Sequence, residues 1–164
     1  MSFVRLFGAP LRGEVAAPPS KSASHRALIC AALAGGVSEL SPFHESADMK
    51  ATIGALRALG ADIAVKNGAA AVDGRGIFSQ KEKTADINCI ESGSTLRFMI
   101  PVAAALGVPA RFTGRGRLPQ RPLDLFYEVL PAHGVTVSAR ALPLEVGGAL
   151  RPGTFELPGN VSSQ

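Results

Sequence analysis

The chain has 164 residues, of which 46% are hydrophobic, and this length and composition suit one domain with a sizeable core. Its net charge of +4 favours anionic partners, but aromatic residues make up only 5% and Lys and Arg form no run, so small anions are favoured over nucleic acid. No uncharged apolar stretch reaches the roughly 18 residues of a transmembrane helix, and residues 1–20 contain no apolar core of a secretory signal. A cytoplasmic protein without membrane contact is therefore expected.

Residues that would signal redox, metal or nucleotide chemistry are sparse. Cys30 and Cys89 lie far apart in apolar or neutral surroundings, which predicts two buried free thiols in a reducing compartment. His25 lacks a neighbour at metal-ligand spacing, and Asp48 is interpreted as a cap or surface charge. No glycine pattern matches the dinucleotide or P-loop fingerprints, so neither a metal nor a nucleotide cofactor is expected.

Apolar periodicity and turn residues predict a series of short elements. In chain order these are an alanine-rich helix, a second helix ended by glycine, a hairpin with an Asn-Gly turn, a helix with an interior proline, a strand, a fourth helix and a second hairpin. They cover residues 27–34, 48–59, 62–72, 96–106, 110–113, 122–132, and 135–138 with 144–146.

The order helix, linker, helix, glycine, hairpin occurs twice. Similar serine-rich openings start at Ser22, Ser92 and Ser162, and each step between them is 70 residues. This self-similarity predicts a domain of three similar α/β units, of which two are complete and the third has begun. Since a repeat without its neighbour leaves apolar surface uncovered, the chain is expected to be a piece of a longer protein.

The first candidate site motif spans residues 18–26, with the sequence Pro-Pro-Ser-Lys-Ser-Ala-Ser-His-Arg. Its hydroxyl residues open a helix whose free N–H groups and dipole attract an anion, while Lys21 and Arg26 add full positive charge. Lys21 is expected just outside the helix, where it could reach a second ligand. The alternative is an ordinary serine cap flanked by two solvated cations.

A second helix start, residues 91–97 (Glu-Ser-Gly-Ser-Thr-Leu-Arg), repeats this pattern, and Gly93 would let a ligand approach the backbone closely. Arg97 lies in the first helical turn, where a cation is unfavourable, so it needs an anionic partner. Residues 113–122 form a glycine- and proline-bounded loop with three arginines, which suits a clamp on phosphate or carboxylate. A plain helix cap and a solvated surface loop are the respective alternatives.

The last motif, Ser162-Ser163-Gln164, gains weight only from its place in the 70-residue repeat. If the repeats pack around a common axis, three helix starts converge with Lys21, Arg26 and Arg121 on one site. Such crowding of positive charge predicts a substrate with at least two anionic groups.

These four motifs, in this order, resemble the 3-phosphoshikimate 1-carboxyvinyltransferase (EPSP synthase) family from about residue 4 to the end of the chain. Residues 21–26 match the family's Lys-Ser-x-Ser-x-Arg signature, 92–97 its second signature, 121–122 the Arg-Pro after its mobile loop, and 162–164 its third signature. Family members fold as two domains of three βαβαββ units each, an inside-out α/β barrel. The resemblance implies that residues 1–20 pack with a C-terminal domain that this chain lacks. Residues 21–164 would form an incomplete N-terminal domain, with units at about 21–85 and 86–155 and a third begun at about 156.

The same resemblance implies transfer of the enolpyruvyl group of phosphoenolpyruvate (PEP) to the 5-hydroxyl of shikimate 3-phosphate, in aromatic amino-acid biosynthesis, by a full-length monomer without a cofactor. Lys21 would touch both substrates and be the catalytic residue of this half. The other roles carried over by position are binding of shikimate 3-phosphate by Ser22, Arg26, Ser162 and Ser163, binding of PEP by Gly93 and Arg121, and contact with both by Gln164. The family's acid and base groups lie in the absent half, so the isolated chain is predicted to be inactive.

The related UDP-N-acetylglucosamine enolpyruvyl transferases are the nearest alternative, but they carry a cysteine where this chain has Gly116 and an asparagine where it has Ser22. A non-catalytic anion-binding module and a nucleic-acid-binding domain are alternatives from other classes.

One residue departs from the EPSP synthase pattern, since Glu91 stands where the family often has asparagine. A carboxylate there would repel PEP, so Glu91 is expected to point away from the site or to pair with Arg97 or Lys21.

Overall fold

The computed structural model describes residues 3–5, 7–8, 10, 12–80 and 83–157, and within these ranges it contains four α-helices and seven strands. The first half of the chain holds α1 (Lys21–Leu33), β1 (Val37–Leu40), α2 (Ala47–Ala58), β2 (Asp62–Lys66) and β3 (Ala69–Asp73). The second half holds β4 (Ala85–Asn88), α3 (Gly93–Leu106), β5 (Ala110–Thr113), α4 (Asp124–Val129), β6 (Val135–Val137) and β7 (Leu144–Gly148). Short 3₁₀ turns lie at Ile77–Ser79, Leu118–Gln120 and Leu130–His133.

The two halves repeat one architecture, which confirms the expected α/β fold. The first sheet has the order β1-β3-β2 and the second the order β4-β5-β7-β6, so β1, β3 and β2 correspond to β5, β7 and β6. All neighbouring strands are antiparallel except β4 and β5, which are parallel and joined by α3. The second half is thus a complete βαβαββ unit, whereas the described strands of the first half follow its first helix.

The hairpin predicted over residues 62–72 is confirmed as β2 and β3, and its turn residues Asn67 and Gly68 have positive φ angles of 51° and 74°. A two-residue turn of this kind favours Asn-Gly because both positions lie in the left-handed region. The strand predicted at 110–113 is β5, and the second hairpin is β6 with β7. The sequence did not predict β1 and β4, two strands of four residues each.

Both helices of the candidate site begin earlier than their apolar periodicity predicts, α1 at Lys21 and α3 at Gly93. The cause is side-chain capping, since the Oγ atoms of Ser20 and Ser92 each accept a hydrogen bond from the backbone N–H three residues later. The prediction that Lys21 lies just outside the helix is therefore wrong. Lys21 is the first residue of α1.

The second helix of each unit differs in how well it is covered. α2 packs against α1, α3 and β4 and has six buried residues. Its counterpart α4 has no buried residue, and its apolar side chains line an open cavity of about 280 Å³ together with Phe98 and Phe155. The second unit thus covers the first, whereas no described element covers α4 in the same way.

The two cysteines are both free thiols, but they differ in their exposure to solvent. Cys89 is fully buried after β4, and burial raises the pKa of its thiol to about 12. Cys30 is exposed, although its neighbours Ile29 and Ala31 face the core. The prediction of two buried thiols is therefore wrong for Cys30, because a helix turns only part of an apolar run towards the core.

We expect Ellman's reagent at about pH 8 to titrate one thiol per native chain, because Cys30 is accessible whereas Cys89 is buried and stays protonated. Both thiols should react at once in denaturant. A Cys30→Ser variant is the control and should show no fast-reacting thiol in the native state. Two fast thiols in the native wild type would contradict the burial of Cys89.

Candidate functional site

Lys21, at the start of α1, is tied to the start of α2. Its Nζ lies 2.7 Å from Oδ2 of Asp48, a carboxylate that is also favoured by the N-terminal dipole of α2. The side chain of Lys21 is 59% exposed, so its ammonium can still donate hydrogen bonds to a ligand. Asp48, interpreted from the sequence as a cap or surface charge, thus holds the candidate catalytic lysine in place.

Ser22 and Arg26 lie one turn apart on α1, and both are exposed. Nη1 of Arg26 donates to the carbonyl oxygen of Ser22 at 3.0 Å. The guanidinium of Arg26 also lies 5.0 Å from the ring centroid of Phe98, a cation–π contact with α3. The structure therefore groups Lys21, Ser22 and Arg26 in the first two turns of α1, open to solvent.

At the start of α3 two arginines close over Gly93. A Cβ built at Gly93 would lie 3.2 Å from Nη1 of Arg97 and 3.3 Å from Nη1 of Arg121. The pKa of Arg97 is lowered, first by burial and then by the positive charge of Arg121. Two guanidiniums beside a helix N-terminus create a strongly positive position, which suits an anion. The sequence motifs placed Gly93 and Arg121 in the site but left Arg97 outside it.

The loop between β5 and α4 is fixed to the segment that precedes α3. The N–H of Arg115 donates at 2.7 Å to the carbonyl oxygen of the residue before Glu91. This path sets Oε1 of Glu91 3.8 Å from Nε of Arg115 and its carboxylate against Gly116, whose φ of +63° suits glycine. The sequence predicts that Glu91 points away from the site or pairs with Arg97 or Lys21. The second alternative is wrong, because the loop supplies a different arginine, Arg115.

A buried chain of hydrogen bonds joins α1 and α2 to the start of α3. Nδ1 of His25 lies 2.8 Å from Oγ1 of Thr52, which lies 2.8 Å from Oγ1 of Thr95, which in turn lies 2.8 Å from Oγ of Ser92. All four residues are at most 3% exposed. The motif analysis missed this chain, and its only signal in the sequence is polar residues among the apolar positions of two helices.

Burial is the main cause that lowers the pKa of His25 below its ordinary value of 6.5. The unfolded chain therefore binds a proton at His25 more readily than the folded chain, so stability is lost as the pH falls below about 6.5. We expect the melting temperature to fall more between about pH 7.5 and about pH 5.5 in the wild type than in His25→Gln, which keeps His44 and His133. Equal falls in the two proteins would contradict a neutral, buried His25.

The third opening of the repeat, Ser162-Ser163-Gln164, lies outside the described residues. Over the part of the chain that is described, no three or more His, Cys, Asp or Glu side chains group closely enough to hold a metal ion. None of the described helices combines the length and apolarity needed to span a bilayer. Two of the three expected helix starts can thus be placed, and the buried polar chain links them.

Residues 7–164 match the family model for EPSP synthase, or 3-phosphoshikimate 1-carboxyvinyltransferase. The chain is 40% identical over 166 residues to the 3-phosphoshikimate 1-carboxyvinyltransferase of Clostridium kluyveri and 43% identical over 173 residues to that of Clostridium beijerinckii. Both alignments cover the whole chain, but the chain spans only 38% and 39% of the length of these relatives. The fold matches a solved EPSP synthase from Acinetobacter baumannii with a TM-score of 0.75 at 26% identity, over 84% of this chain and 32% of that one. The motifs, the fold and these similarities together show that the chain belongs to the EPSP synthase family.

Proposed function

We propose that the chain supplies part of the substrate site of an enzyme that transfers the enolpyruvyl group of PEP to shikimate 3-phosphate. The observation that carries this proposal is the closure of Arg97 and Arg121 over Gly93 at the start of α3. Because glycine leaves the helix N-terminus bare, a small anion such as PEP can reach the backbone N–H groups between the two guanidiniums. The family assignment supports the choice of reaction.

The start of α1 is proposed to bind shikimate 3-phosphate through Ser22 and Arg26. Lys21 would lie between the two substrates, because Asp48 anchors it and the carbonyl oxygen of Asp48 lies 3.4 Å from Oγ1 of Thr95 in the first turn of α3. The remaining contacts, proposed from the family resemblance alone, are those of Ser162 and Ser163 with the phosphate of shikimate 3-phosphate and of Gln164 with both ligands.

In the proposed reaction the 5-hydroxyl oxygen adds to C2 of PEP, C3 gains a proton, and the tetrahedral intermediate then loses phosphate. The described residues can position the substrates and stabilise charge. The two carboxylates beside the helix starts are both engaged, Asp48 with Lys21 and Glu91 with Arg115. Proton transfer is therefore assigned to the part of a full-length relative that lies beyond this chain, and the chain alone is proposed to be inactive.

We assign residues 1–20 to packing with a C-terminal domain and residues 21–164 to an incomplete N-terminal domain. Four apolar side chains in the first segment support the assignment, since Phe3, Val4, Phe7 and Val15 are 91%, 85%, 77% and 93% exposed. The uncovered face of α4 supports a further α/β unit, because the equivalent helix α2 is covered by the unit that follows it.

Calorimetric titration of the chain with PEP, shikimate 3-phosphate, UDP-N-acetylglucosamine and a duplex oligonucleotide tests the proposal. We expect binding of the first two and, at about 0.15 M salt, of neither of the others. Salt-sensitive binding of the oligonucleotide without binding of PEP or shikimate 3-phosphate would overturn the proposal. A phosphate-release assay on the same chain should show no turnover, and enzyme-like rates would refute the proposed inactivity.

A further inference from the structure

The buried chain from His25 to Ser92 has a direction that follows from its last bond. Oγ of Ser92 accepts hydrogen bonds from the N–H and from the hydroxyl of Thr95, at 3.2 and 2.8 Å. The hydroxyl of Thr95 has two acceptors within reach, Oγ of Ser92 at 2.8 Å and the carbonyl oxygen of Asp48 at 3.4 Å, and the shorter contact assigns its hydrogen to Ser92. Thr52 then donates to Thr95, and His25 donates to Thr52 through Nδ1–H. Each bond then has one donor and one acceptor.

The His25 end of this series of hydrogen bonds supports the same direction. Nε2 of His25 is buried and finds no hydrogen-bond partner among the described residues. With the proton on Nδ1, Nε2 carries only a lone pair, whereas the reverse direction would bury an unpaired N–H. Orphaned N–H groups are rarer in proteins than under-satisfied acceptors, so the Nδ1–H tautomer is favoured. Burial, which lowers the pKa of His25, keeps the ring neutral as this arrangement requires.

The direction leaves one hydrogen unused. Ser92 acts only as an acceptor in these bonds, so its own hydroxyl hydrogen remains to be donated. Ser92 directly precedes Gly93, over which Arg97 and Arg121 close. Ser92 is only 3% exposed, so little water reaches this hydrogen, and an anion beside Gly93 could accept it in a charge-assisted bond.

We infer that His25, Thr52 and Thr95 are positioning residues that direct the Ser92 hydroxyl hydrogen towards PEP at the start of α3, an inference that rests on the proposed function. A purely structural brace would hold the three helices together with the hydrogens in either direction. The directed chain instead requires one tautomer of His25, and it makes the hydroxyl of Thr52 matter for anion binding although Thr52 lies inside α2.

Two measurements on the 164-residue chain test the inference. The ring ¹⁵N chemical shifts of His25 at about pH 8 distinguish the two neutral tautomers, and we expect Nδ1–H. PEP is then titrated into the wild type, Thr52→Val and Thr52→Ser. Valine cannot donate to Thr95, so Thr95 can turn its own hydrogen to the carbonyl oxygen of Asp48, 3.4 Å away, and accept the Ser92 hydrogen instead. We therefore expect PEP to bind about tenfold more weakly. Serine restores the hydroxyl and should bind PEP within about twofold of the wild type.

The outcomes separate the inference from the function on which it rests. An Nε2–H tautomer, or equal affinity of the wild type and Thr52→Val for PEP, would overturn the directed chain and leave the proposed function intact. Failure of the wild type to bind PEP would overturn both. Melting curves show whether the variants are folded, and if the valine variant does not fold, the tautomer of the wild type decides alone.

Discussion

Replacing Arg121 with glutamine is expected to weaken the binding of PEP by about 30-fold or more. The guanidinium of Arg121 stands with that of Arg97 over Gly93, where it would make charge-assisted hydrogen bonds to the ligand. Such bonds are worth about 1.5–3 kcal/mol each, and a loss of about 2 kcal/mol corresponds to roughly a 30-fold rise in Kd. Calorimetric titration of the chain with PEP measures the change.

Arg117 provides the matched control, because it is exposed in the same loop and is not among the groups that close over Gly93. Arg117→Gln removes the same charge, and at about 0.15 M salt its effect on the Kd should stay within about twofold. The melting temperature gives a second check. Arg121→Gln removes the like charge that helps to lower the pKa of Arg97, so the ligand-free variant should melt no lower than the wild type. Equal losses of affinity in both variants would mean that the loop attracts anions through net charge alone.

Sequence patterns predicted those features of the fold that depend on interactions between residues close together in the sequence. Asn67-Gly68 predicts its hairpin because the backbone angles of the turn depend on those two residues. The serine-rich openings predict helix starts because a cap bonds a backbone N–H only three residues away. Gly93 predicts a close approach to the backbone, but a missing side chain does not say which groups approach. That Arg97 and Arg121 do so follows from the packing of a loop against a helix.

The features that the sequence patterns did not predict depend on contacts between residues that are far apart in the sequence. His25 bonds Thr52 across 27 positions, and Thr52 bonds Thr95 across 43. No periodicity relates such residues, so each of them alone resembles an ordinary polar residue in a helix. Glu91 illustrates the same limit, because several cations were plausible partners and only the path of the loop brings Arg115 to it.

A tight crossing between the end of β3 and the last turn of α1 depends on Gly74. This residue is buried, and a Cβ there would lie 2.0 Å from the carbonyl oxygen of Ala32 and 2.8 Å from its carbonyl carbon. Both are backbone atoms of α1, so the helix itself would have to move. The N–H of Gly74 also donates to the carbonyl oxygen of Gly36 at 2.9 Å, and a shift of the strand end would weaken that bond.

We therefore expect Gly74→Ala to lower the free energy of unfolding by about 3 kcal/mol, at the upper end of the usual cost of overpacking. Gly54→Ala is the matched control, because Gly54 is exposed within α2 and an added Cβ would meet no atom within 4 Å. This variant should gain about 0.5–1 kcal/mol, since glycine is a poor helix former. Urea denaturation of both variants measures the two changes, which should have opposite signs. A stable Gly74→Ala variant would mean that α1 yields to the methyl group, and because Lys21 and Ser22 open that helix, anion binding should then change as well.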